Sequence, residues 1–148
     1  MIFVIIVIEA LAILAHSALP VIQNTSLRCK AADIARQMSQ VRTAAESARQ
    51  QRNTWPDEAE PGQEPQELAA FLPPGFTFSH ADYQLDWDHW QLAEGNALGA
   101  GELAGVTVIT HDPRLAAMIA RMLPEGETRL TLGSRTTLVI AEPGTLEH

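Results

Sequence analysis

The chain has 148 residues, a net charge of −8 and a pI near 5.0. That length is ordinary for a single domain, and the acid excess argues against nucleic acid as a partner, because phosphate binding needs a basic stripe, and against docking on anionic lipid. One cysteine, Cys29, excludes an intramolecular disulfide and reads as a small apolar residue on a helix rather than as a reactive thiol.

In chain order, the first 22 residues, MIFVIIVIEALAILAHSALPVI, are the most apolar of all, and only Glu9 breaks the run before His16-Ser17-Ala18-Leu19-Pro20. A helix of 20–22 residues spans roughly 30 Å, the thickness of a bilayer's hydrocarbon core. Three readings compete. A cleaved signal peptide needs a basic n-region, and none precedes Ile2. A buried core helix can be apolar all round. A membrane-anchoring helix that runs on into a soluble helix fits the polar, helix-compatible continuation after Ile22, and it is the expectation adopted. A carboxylate inside such a span costs about 2–3 kcal/mol unless protonated or paired, which makes Glu9 a candidate functional group. Pro20 removes one helical hydrogen bond and marks a possible kink.

Ile13-Leu14-Ala15-His16-Ser17-Ala18-Leu19-Pro20-Val21-Ile22 resembles the end of the N-terminal segment of type IV pilins and type II secretion pseudopilins. The resemblance implies a non-enzymatic structural subunit of a pilus-like or pseudopilus filament. Its apolar helix would sit in the inner membrane before assembly and in the fibre core afterwards. It implies as partners other pilin or pseudopilin subunits and an inner-membrane assembly platform, a head outside the cytoplasm, and maturation with N-terminal methylation. The sequence departs from the family pattern at its start. No short basic leader precedes the segment, and on alignment at Pro20 the family's assembly glutamate falls at Phe3, with Glu9 six residues out of register. Phe3, Glu9 and Pro20 are therefore the candidate assembly residues. The alternative is a single-pass or soluble domain that binds a ligand or a protein.

From Leu27 the positions Ala31, Ile34, Met38, Val41, Ala45 and Ala48 recur at spacings of four and three, which predicts one apolar stripe on a helix over 25–52, continuous with the first segment. The same spacing is compatible with a coiled coil. Pro56 requires the helix to end before it. Residues 53–66 hold three prolines, a glycine and most of the acidic run Asp57, Glu58, Glu60, Glu64 and Glu67, which reads as a solvated loop, with Trp55 tacking it to the domain. A short helix over 65–72 is expected next, then strands at 76–78 and 83–90 forming a hairpin or meander pair, with Tyr83, Leu85 and Trp87 on one face. Residues 93–105 read as a flexible Gly/Ala connection and 106–110 as a buried strand. Asp112 caps a helix with Pro113 at its first position and Leu115, Met118, Ile119 and Met122 inward. A terminal hairpin over 128–132 and 136–140 turns at Gly133-Ser134.

The expected fold class is therefore α+β: a long N-terminal helix packed against a four- or five-stranded, mostly antiparallel sheet, with two shorter helices. Its organisation is an apolar segment over 1–24, a head over 25–145 and a tag remnant at 146–148. Of the possible sites, Asp86 and Asp88 share a strand face and offer two oxygens to a hard cation such as calcium, while the bland reading is a solvated face. No other cofactor is expected. His80, His89 and His111 lack zinc spacing, no nucleophile motif is present, and no phosphate loop follows a strand, so no enzyme is expected.

Overall fold

The computed structural model describes residues 2–94 and 101–141, with the side chains of 4–14, 23–94 and 101–140. The chain order is α1 (Ile2–Arg52), a 3-10 turn (Gln66–Leu68), β1 (Tyr83–Leu92), β2 (Gly101–Thr110), α2 (Pro113–Met122), β3 (Arg129–Leu132) and β4 (Arg135–Ala141). Among the described residues there is one sheet, antiparallel throughout, in the order β1-β2-β4-β3. The chain divides into two compact units, Met1–Lys30 and Ala31–His148.

In the second unit the apolar stripe of α1 is fully used. Ile34, Met38, Val41, Ala45 and Ala48 are inaccessible to solvent, as are Leu85, Trp87, Val106, Val108 and Leu138 of the sheet. The Tyr83 hydroxyl of β1 donates to Gln37 Oε1 of α1 at 2.9 Å. The helix ends before Pro56, as expected. Asn53 takes the left-handed conformation at φ 60° and its N–H closes on Arg49 O at 2.7 Å, an αL cap that asparagine tolerates.

α2 is built as its sequence requires. Asp112 caps it by accepting from Arg114 N at 2.9 Å, with Pro113 at the first helical position. That bond holds the Asp112 carboxyl below its ordinary range. Leu115, Ala116 and Ile119 face inward, while Met122 is exposed and Leu123, just past the helix, is buried instead. Arg129 Nη1 donates to Leu123 O at 3.0 Å and secures the helix end.

Three expectations are corrected. The short helix over 65–72 is only a 3-10 turn at Gln66–Leu68, because so few residues before Pro73 cannot sustain a run of i to i+4 bonds; Leu68 and Leu72 still face the core. Residues 76–78 form no strand, only a bridge Ser79↔Gln84 and a bond from Leu85 N to Phe78 O at 2.8 Å. The long partner of β1 is β2, in an unbroken register from Tyr83↔Thr110 to Leu92↔Gly101. Residues 101–105, expected in a flexible connection, are thus the first half of β2, since ten residues of β1 offer pairing that overrides a weak local propensity. Residues 95–100 and 146–148 lie outside the described residues.

The expected membrane-spanning helix is the largest correction. Among the described residues no helix is long and apolar enough to cross a membrane. Glu9 stands exposed among the apolar side chains of Val4–Leu14 in the first unit. The single-pass inner-membrane localisation, and with it membrane insertion before assembly, the head placed outside the cytoplasm and N-terminal methylation, are withdrawn.

Gly105 shows how tightly the sheet is closed. It sits at the irregularity between Ala104 and Gly105 in the β2–β4 register, where a Cβ would lie 2.9 Å from Leu138 O and 3.3 Å from Thr137 Cγ2. Gly105→Ala is expected to cost about 1–3 kcal/mol, read as a lower urea midpoint at unchanged slope.

Candidate functional site

β1 alternates, so Leu85 and Trp87 enter the core while Gln84, Asp86, Asp88 and Trp90 lie on the outer face of the sheet. The register extends that face across Thr107 of β2 and Thr137 of β4. Thr107 Oγ1 donates to Asp88 Oδ2 at 2.9 Å and lies 2.8 Å from Thr137 Oγ1. With its own proton committed to the carboxylate, Thr107 must accept from Thr137. Burial raises the Asp88 carboxyl, opposed by the Thr107 bond and by Arg135.

Asp86 has no such support. It is 8% exposed, and its Oδ1 is buried without a hydrogen-bond partner. Burial, then the charges of Asp88, Glu58 and Glu60, push its carboxyl up to about 6, against a counter-pull from Arg135. The solvated strand face expected from alternation is therefore wrong at Asp86.

The reason lies in residues 55–67, which fold over this part of β1. Trp55 is buried 6.1 Å from Trp87 and carries the Arg49 guanidinium 4.6 Å from its ring centroid. The Trp87 indole N–H donates to Pro56 O at 3.0 Å. Further on, Gly62 N donates to Leu85 O at 2.9 Å. Gly62 needs its positive φ of 81° there, packed on Gln84 and Ser79. Between these two fastenings and just beyond the second the chain forms an open bowl of about 750 Å³, walled by Asp57, Glu58, Glu60, Glu64 and Glu67, with Asp86 also lining it.

The sequence candidates are thus separated. Asp86 and Asp88 do share one face, but Asp88 is bonded to Thr107 while Asp86 alone lines the bowl. Among the described residues no three His, Cys, Asp or Glu side chains converge to hold a metal ion. His80 stacks on Tyr83 at 4.2 Å and contacts Thr77 O. His89 is largely buried, 3.9 Å from Glu102. Cys29 is exposed. Glu9 is exposed on α1, whereas the side chains of Phe3 and Pro20 lie outside those described.

Around Glu9 stands the second feature, in the first unit. Val4, Ile5, Ile6, Val7, Ile8, Leu11, Ile13 and Leu14 are each 55–68% exposed. Five of them are consecutive, so the helix is aliphatic on every side rather than along one stripe.

Comparison with protein-family models, with curated proteins and with solved structures returned no match.

Proposed function

We propose that the chain is a structural subunit of a pilin- or pseudopilin-like filament, assembled by packing the first turns of α1 against the same segment of neighbouring subunits. The observation that carries the reading is the all-round exposure of Val4–Leu14. Contiguous apolar surface of this kind marks an association site. Burying eight half-exposed aliphatic side chains returns roughly 1 kcal/mol or more each, which is comparable with the 4–15 kcal/mol or so that association costs. The junction sequence Ile13–Pro20 supports the same assignment by its resemblance to the pilin segment. Glu9, inside that surface, needs a cation from a neighbour or a proton once it is packed.

The test is sedimentation velocity and negative-stain microscopy of the chain beside Ile6→Glu/Ile13→Glu, a variant altered only at exposed positions. The wild type is expected to form large assemblies, and the variant to stay at the 16.1 kDa of the monomer. A wild type that is monomeric at hundreds of micromolar, or a variant that assembles equally well, overturns the reading.

A further inference from the structure

An acidic segment exposed to water asks for no partner, because each carboxylate is hydrated. The bowl over Asp86 differs at one point. Of its wall charges Asp57, Glu58, Glu60 and Glu64 are exposed and Glu67 is partly covered beside Arg52 at 3.9 Å, but Asp86 has an oxygen withdrawn from water and given no donor by its own chain. A buried acceptor left unsatisfied costs about 1–3 kcal/mol, more when it is charged, and a donor brought into the bowl by another molecule would recover that cost. We infer that the bowl is a docking site for an arginine-bearing segment of a partner protein, with the guanidinium directed at Asp86 and further basic side chains lying along the acidic wall.

The occupant follows from the chemistry. Anions and nucleic acid are repelled by the carboxylates that line the bowl. A lone metal ion is disfavoured because among the described residues no three ligands converge and because about 750 Å³ exceeds one ion many times over. Carboxylates spread along a wall match donors spread along a peptide. A guanidinium brings five N–H donors in a planar fork and is more weakly hydrated than an ammonium, so it suits a recessed carboxylate better than lysine does. A second copy of this chain is an outcome the test separates. Arg36, Arg42, Arg49, Arg114 and Arg129 engage groups of their own chain, and Arg52 pairs with Glu67 of the wall. Arg28, Arg121 and Arg135 are exposed, so self-association that Asp86→Asn abolishes would overturn the proposal. The proposal is independent of filament assembly and fails separately from it.

The experiment is fluorescence anisotropy of a labelled Gly/Arg peptide titrated with the full chain at low and moderate salt, in the Ile6→Glu/Ile13→Glu background so that assembly does not interfere, with amide chemical shifts to locate the contact. A Gly/Lys peptide and CaCl2 are titrated in parallel. Saturable binding of the Arg peptide is expected, with shifts confined to residues 57–67 and the Asp86 region. Asp86→Asn should weaken it tenfold or more. Glu58→Gln/Glu60→Gln, altered only at exposed positions, should weaken it severalfold. Glu125→Gln, which removes one exposed charge outside the bowl, should leave it unchanged. The proposal is overturned if Glu125→Gln weakens binding as much as Asp86→Asn, which would mean diffuse attraction. It is also overturned if the Lys peptide binds equally well, if no saturable binding occurs, or if only Ca2+ binds in an Asp86-dependent way.

Discussion

Trp87→Ala should lower the stability of the fold by about 3–5 kcal/mol, the usual cost of truncating a fully buried aromatic residue, out of the 5–15 kcal/mol or so that a domain of this size has in total. Trp87 is 0% exposed and sits on the central rows of the sheet, opposite Val106 in the β1–β2 register. The loss is more than a cavity, because the indole N–H is the donor that holds Pro56 O, and its ring packs against Trp55. Trp87→Phe separates the two contributions. It keeps most of the volume but leaves the Pro56 carbonyl unpaired, at a cost of about 1–3 kcal/mol. Urea unfolding gives the totals. Amide exchange across residues 57–67 shows whether the arch opens, and in Trp87→Phe protection should fall at Gly62 before it falls in the core strands. Equal loss everywhere would mean that Trp87 acts only as core filling and that the arch is held by other contacts.

That dependence explains which parts of the molecule could be read from its sequence. The α1 stripe from Ala31 to Ala48, the Asp112–Pro113 start of α2, the inward alternation of Tyr83, Leu85 and Trp87, and the turn at Gly133-Ser134 are local patterns. Each is fixed by the period of its own element or by the chemistry of one cap or turn. The partner of β1 is not local. Residues 76–78 lie nearer in sequence, but only residues 101–110 can match all ten positions, so register rather than proximity decides. The candidate site is least local of all. Alternation placed Asp86 and Asp88 on one face and stopped there. Whether either is dry depends on a segment roughly twenty to thirty residues upstream, pinned by one indole hydrogen bond and by a glycine with φ of 81°. Trp55 was the available signal: a large aromatic in an acidic, proline-rich stretch has to be buried against something, and what it is buried against is the neighbour of Asp86. At the other end of the chain, a run of aliphatic residues shows its hydrophobicity in sequence but not what covers it. For that reason the same residues supported both a membrane span, for which no helix among the described residues is long and apolar enough, and a packing surface.

Asp86→Asn is expected to stabilise the protein, against the usual direction for a buried substitution. The folded-state carboxyl stands at about 6, against 3.8 for its ordinary value, so the folded chain holds this proton more tightly than the unfolded one. The stability contributed by that difference is complete below about pH 3.8 and is lost as pH rises through about 6. A displacement of about two units at roughly 1.4 kcal/mol each sets an upper bound near 3 kcal/mol. Asparagine keeps the shape and carries no charge at any pH, so the variant should exceed the wild type by about 1–3 kcal/mol at pH 8, and the gap should close toward pH 4. The groups facing the carboxylate set the size of the effect. Asp88, Glu58 and Glu60 oppose its ionisation and Arg135 favours it, so Arg135→Gln should widen the gap and Glu58→Gln should narrow it. Paired denaturation curves from pH 4 to 8 test this. A gap that is absent at pH 8, or that grows as pH falls, would show that Asp86 is satisfied in solution and would remove the argument for an unmet acceptor in the bowl. If the gap appears as expected, the fold carries an ionised carboxylate at a net cost in the free chain, and saturating Arg peptide should then raise the wild-type stability at pH 8 while leaving Asp86→Asn nearly unmoved.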